Sequence, residues 1–173
     1  PGTLLDLSDL SGLVAVDRER ARVRLLAGTR LHRIPALLAP YGLAMTNLGD
    51  IDRQSISGAI STGTHGTGID LPALHADIVG MRIVTPGGKV VELQEGKDRD
   101  MLAAARVSLG SFGVISQVTM RVLPAYNLQR KVILLSLSAL IPALAWWYPP
   151  AVTWLVPEKY EDSTFDLIGM SWV

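Results

Sequence analysis

The stretch NLGDIDRQSISGAISTGTHGTG, Asn47 to Gly68, decides how this chain is read. Gly49, Gly58, Gly63, Gly66 and Gly68 permit turns and close approaches that a side chain would block. Between them stand Ser55, Ser57, Ser61, Thr62 and Thr64. Their short hydroxyls, with the backbone N–H groups that such a loop exposes, suit phosphate or pyrophosphate oxygens.

Two common nucleotide loops do not fit. A P-loop needs a lysine and then serine or threonine after its last glycine, where this chain has Ile69 following Gly68. A dinucleotide fingerprint places G-x-G before x-x-G, and Gly63, Gly66 and Gly68 run in the opposite order.

The residues Ser55, Gly58, Thr62, Gly63, Thr64, His65 and Gly66 fall on the pattern S-x-x-G-x-x-x-T-G-T-H-G. This resembles the flavin-binding loop of the vanillyl-alcohol oxidase superfamily, in its branch of aldonolactone oxidases or dehydrogenases and alditol oxidases. SLGSFGVISQVT, Ser108 to Thr119, resembles a second segment of that family, and Ala21 to Asp50 resembles the strand, helix and strand before the loop. The resemblance runs through Tyr126, which divides the chain into residues 1–126, an FAD-binding domain, and 127–173, the start of a substrate domain or an unrelated apolar tail.

The resemblance implies an FAD-dependent oxidoreductase that oxidises a hydroxyl of a gulono- or arabinono-1,4-lactone-like sugar lactone, or of a polyol in the alditol oxidase alternative. Asp50, Ser55, Gly58, Thr62, Gly63, Thr64 and His65 would contact FAD. Gly113 would admit close backbone approach, and Ile115 would start a strand beside the adenosine half. The fold implied is α+β, the second subdomain of a p-cresol methylhydroxylase-type FAD-binding domain. Family members carry an upstream subdomain with a first pyrophosphate loop, so the chain reads as a fragment that begins in mid-domain. No covalent flavin link can be placed on His32, His65 or His75, and the base that deprotonates the substrate is expected outside the chain. The alternative from another class is a non-catalytic remnant without flavin, or a membrane-tethered segment.

Composition is compatible with this. The 173 residues are 49% hydrophobic, enough for one core. Sixteen basic and 16 acidic residues balance, so nothing points to a nucleic-acid surface. The absence of cysteine excludes disulfides, thiolate metal sites and a cysteine nucleophile. No signal peptide is visible, which gives the expectation of a cytoplasmic or membrane-associated protein.

Apolar runs at Gly12 to Asp17 and Arg22 to Ala27 predict a strand hairpin around Arg18 to Ala21. Thr29 is placed as N-cap of a helix over Arg30 to Ala39, with Pro35 delaying its start. Asp77 to Thr85 and Lys89 to Leu93 predict strands joined at Pro86-Gly87-Gly88. A helix is expected from Asp98 through Val107 with Met101, Leu102 and Ala105 on one face, then a strand over Val114 to Val122. The interleaving lacks the regular repeat of a doubly wound sheet.

Val132 to Val156 contains no charged residue. Its length could cross a bilayer at about 1.5 Å per helical residue. However, Pro142, Pro149 and Pro150 leave Val132 to Ile141 as its only unbroken helical stretch. Among the site candidates, His65 lacks a second metal ligand at usable spacing. Ser55, Thr62 and Thr64 lack an activating histidine and acid pair, and turn capping is their simpler role. Asp50 could simply open a turn, and Gly113 and Ile115 could only mark entry to a core strand.

Overall fold

The computed structural model describes residues 5–68, 70–128, 130–135 and 167–172. Contacts divide the chain into two compact units, Pro1–Tyr126 and Asn127–Val173.

In the first unit, β1 (Leu13–Asp17) and β2 (Arg22–Leu26) form the expected hairpin. A 3-10 turn at Leu31–Arg33 leads into α1 (Ile34–Leu38), a second 3-10 turn follows at Ala39–Tyr41, and β3 (Leu43–Ala44) comes after it. Pro35 stands in the first turn of α1, where its missing N–H costs nothing, so the helix starts later than Arg30. Thr29 does not cap it. This fully buried threonine donates its hydroxyl to the Leu26 carbonyl at 2.6 Å and accepts from the Gly12 N–H at 2.9 Å, closing the end of the hairpin. Gly42, at φ 65°, ends the helical segment in the left-handed region.

Next come α2 (Ile56–Ser61), a 3-10 turn at Leu74–Asp77, β4 (Ile78–Val84), β5 (Val90–Gln94), α3 (Arg99–Arg106), β6 (Val114–Arg121) and β7 (Leu123–Pro124). The long strands form one antiparallel sheet in the order β1-β2-β6-β4-β5, while β3 pairs with β7. β4 and β5 turn at Gly88, whose φ of 77° suits glycine.

One sheet face packs Val23, Leu25, Met81, Val118 and Met120 against Leu31, Ile34 and Leu38, Ile56 and Ile60, and Leu102. Leu102 and Ala105 are the buried residues of α3, whereas Met101 is 50% exposed and lies off the face expected for it. The buried side of α3 is centred on the i and i+3 pair Leu102 and Ala105, which leaves Met101, one residue before Leu102, at the edge of that side.

In the second unit, β8 (Arg130–Leu135) pairs antiparallel with β9 (Leu167–Trp172). The uncharged stretch therefore begins as a strand over Val132–Leu135, not as a helix, because its backbone pairs with Leu167–Met170. The rest of Val132 to Val156 lies outside the described residues. Among the described residues, no helix is long and apolar enough to cross a membrane.

Candidate functional site

Asn47 to Gly68 is not a simple loop: α2 occupies its middle. Six residues that include Gly58 and two serines have poor intrinsic helix propensity. Burial of Ile56, Ala59 and Ile60 supplies what propensity lacks. Ser55 is the N-cap, its side chain accepting from the Gly58 N–H at 3.2 Å. At the other end, Thr62 Oγ1 donates to the Gly58 carbonyl at 3.0 Å, and Gly63 turns the chain at φ 67°.

The two motif blocks meet through the end of β2. The Ala27 N–H donates to the Ser116 carbonyl at 3.0 Å, the Ser57 N–H donates to the Ala27 carbonyl at 3.1 Å, and the Ile56 N–H donates to the Thr29 carbonyl at 2.8 Å. One turn of backbone, Ala27 to Thr29, thus fixes the start of α2 to the start of β6. The same turn is pressed against the N-terminal segment, where a Cβ on Gly28 would lie 1.9 Å from the Leu7 carbonyl oxygen. On the far side of α2, a Cβ on Gly63 would meet Val107, the residue before the second block.

The arms flanking α2 brace each other. Asn47 donates its amide to the Pro72 carbonyl at 3.1 Å and accepts from the Leu48 N–H at 2.8 Å. A Cβ on Gly66 would stand 2.6 Å from Asn47 Oδ1 and 2.8 Å from the Leu48 carbonyl, and one on Gly49 would stand 3.3 Å from the His65 carbonyl. Thr64 Oγ1 donates to Gln54 Oε1 at 3.2 Å. Asn47, Gln54, Gly28 and Thr29 were not among the expected site residues. Asn47 and Gln54 stand within the quoted segment, but their bracing partners could not be read from spacing.

The remaining candidates are placed as follows. Asp50, Gly58, Thr62 and His65 are exposed, and Ser55, Gly63 and Thr64 are half-buried. His65 Nδ1 lies 2.8 Å from the Gly66 carbonyl. A carbonyl only accepts, so in the neutral ring the proton belongs on Nδ1 and Nε2 is left as an acceptor. Gly113 has φ 122°, and its close approach is to the chain itself, since a Cβ would sit 2.3 Å from the Val84 carbonyl. Ile115 is buried in β6 opposite Ile83.

The segment suits an anionic dinucleotide through its backbone more than through its hydroxyls. Thr62 and Thr64 have their protons committed to Gly58 and Gln54, which leaves them as acceptors. The N–H groups of Gly49, Asp50, His65 and Gly66, by contrast, have no hydrogen-bond partner among the described residues. Unpaired donors on glycine-bearing turns are the groups that meet phosphate and carbonyl oxygens.

Residues 1–94 match the family described as an FAD binding domain. The chain is 44% identical over 129 residues to an L-gulono-1,4-lactone dehydrogenase of Mycobacterium tuberculosis, covering 75% of this chain and 29% of that protein. It is 35% identical over 144 residues to a D-arabinono-1,4-lactone oxidase of Candida glabrata, covering 77% of this chain and 27% of the relative. The chain thus spans less than a third of the length of these relatives. Among solved structures, an alkyldihydroxyacetonephosphate synthase superposes with a TM-score of 0.71 at 19% identity, over 84% of this chain and 28% of that one, a likeness of fold alone. The α+β architecture and the sequence match agree: this chain belongs to the family of FAD binding domains.

Proposed function

We propose that this chain forms the flavin-binding part of an FAD-dependent aldonolactone oxidoreductase acting on a gulono- or arabinono-1,4-lactone-like substrate. The observation that carries the proposal is the relationship, over three quarters of the chain, to enzymes named for those lactones. FAD, when bound, supplies a hydride acceptor for the carbon that bears the substrate hydroxyl.

Asp50, Ser55, Gly58 and Thr62 to His65 are assigned to holding FAD, and Gly113 and Ile115 to the side of its adenosine half. Within that set the backbone N–H groups of Gly49, Asp50, His65 and Gly66 donate to the cofactor's oxygens. Thr62, Thr64 and His65 Nε2 accept from its N–H or hydroxyl groups. Ser55 acts through position, fixing the first turn of α2. Asp50 is exposed beside the unpaired donors, where it would face both cofactor and substrate. None of these residues is assigned as the base that deprotonates the substrate; that group is placed in the remainder of the longer enzyme.

The test is to titrate the purified chain with FAD while following quenching of flavin fluorescence, then to assay gulono-1,4-lactone with a dye acceptor. Saturable quenching with no dye reduction is expected. Failure to retain flavin overturns the assignment of the loop. Solubility with and without detergent checks whether residues 132–156 add a membrane contact.

A further inference from the structure

The outward face of the sheet carries a polar trough that flavin binding leaves unused. Cross-strand register sets Ala15, Arg24, Thr119, Gly80 and Gln94 in one row across all five strands. The row is low because alanine and glycine occupy two of its places. A Cβ on Gly80 would come within 3.3 Å of Thr119 and of the Leu93 carbonyl, so any side chain there would fill the floor. The resulting trough has a volume of about 530 Å³, the size of a small-molecule site.

Its charge is unbalanced toward cations. Arg20 and Arg82 have exposed partners, Asp17 at 3.7 Å and Glu92 at 3.5 Å. Glu95 serves Arg22 in the trough and is shared with Arg106 and Arg121 outside it, so four arginines of the lining face three carboxylates. Among the described residues, Arg24 has no carboxylate within ion-pair distance. This positive surplus sits on a chain whose net charge is zero.

We propose that the trough binds a compact, multiply charged anion of the phosphate class, held between Arg24 and Arg82 over Thr119 and Gln117. Arg24 pairs with Thr119 and Arg82 with Gln117, so the two arginines flank β6 from either side. They stand two strand spacings apart across the sheet and two residues apart along it, about 12 Å in all, a gap that two extended guanidinium arms can close on one ligand. The guanidinium fork matches phosphate oxygens, and the Gln117 amide and Thr119 hydroxyl add donors between the arms. Asp17 and Glu92 at the rims would repel an extended polyanion, which limits the occupant to a compact one.

The experiment is a titration of the isotope-labelled chain with inorganic pyrophosphate at low ionic strength, followed by amide chemical shifts. Saturable shifts are expected at Gly80, Gln117 and Thr119, with affinity falling as salt is added. The double variant R24Q/R82Q should bind at least about tenfold more weakly, as expected for loss of charge-assisted contacts. Its circular dichroism and FAD quenching should stay those of the unmodified chain. Absence of saturable shifts at the trough overturns the proposal, as does a folded double variant that binds equally well. Shifts confined to Asn47 to Gly68 would assign the anion to the flavin loop and also overturn it. The mapping on the unmodified chain decides the matter should the double variant not fold.

Discussion

Along the sheet, Val23, Leu25, Val118 and Met120 point into the core, while Arg24, Gln117 and Thr119 between them point out. Along Asn47 to Gly68, Ile56, Ala59 and Ile60 of α2 are the buried apolar anchors, and the flanking arms hold by hydrogen bonds and by glycines pressed against neighbouring backbone. The sheet is thus stabilised by apolar area, which one residue can lose in part. The glycine-rich segment depends on positions where no atom can be added. The two regions should therefore respond differently to substitution.

The largest effect is expected where β6 begins beside the end of β4. Gly113→Val would place a Cβ 2.3 Å from the Val84 carbonyl in backbone at φ 122°, a conformation that valine resists. Strain and clash together should cost more than about 3 kcal/mol. Chemical denaturation should show a chain unfolded or nearly so, with no flavin quenching. A stable variant that merely fails to bind FAD would show that Gly113 serves the cofactor and not the fold.

The sheet's strands were legible because each carries a local signal: β-rich runs bounded by Arg18 to Ala21 and by Pro86-Gly87-Gly88. Their order was not, because β6 inserts between β2 and β4 by pairings that no local pattern records. In the candidate site, the glycines and hydroxyls gave the expectation of a ligand loop, and the resemblance implied FAD as its ligand. α2 was hidden, since Gly58 and the serines argue against a helix and only tertiary burial of Ile56 and Ile60 overrides them. Thr29 looked like a helix cap from its place before an apolar run, yet its hydroxyl is taken by Gly12 and Leu26 on the hairpin side. Asn47 and Gln54 could not be singled out because their partners, Pro72 and Thr64, are distant along the chain.

Gly66→Ala sharpens the contrast within the loop. The new methyl would meet Asn47 Oδ1 and the Leu48 carbonyl, forcing the two arms apart. A destabilisation of about 1–2 kcal/mol is expected, together with a loss of FAD affinity of at least about tenfold because the spread arms carry the unpaired N–H groups. Equal FAD affinity in the two proteins, read by flavin fluorescence, would separate the bracing from cofactor binding. Ser55→Ala should act more gently: loss of the N-cap costs about 1 kcal/mol, measured as a shift in the denaturation midpoint. Ser55→Asp should recover most of that stability, since a carboxylate also caps.

The smallest effect should come from Glu95, where the sheet gathers charges from three elements. Its carboxylate accepts from Arg121 and lies 3.7 Å from both Arg22 and Arg106, tying β6, β2 and α3. The hydrogen bond from Arg121 is the main cause that holds its pKa below the ordinary glutamate value; partial burial opposes it, and the charges of Arg121, Arg106 and Arg22 assist. A carboxyl depressed on folding stabilises the fold above its unfolded pKa, and that contribution disappears as pH falls through the depressed value. The partners are partly solvated, Arg121 at 46% and Arg22 at 37% exposure, so screening limits the contribution to at most about 1 kcal/mol. Glu95→Gln should therefore lower the urea midpoint slightly at neutral pH. The gap should narrow in strong acid and in high salt, while a gap unchanged from neutral to acid pH would assign Glu95 a packing role in place of an ionic one.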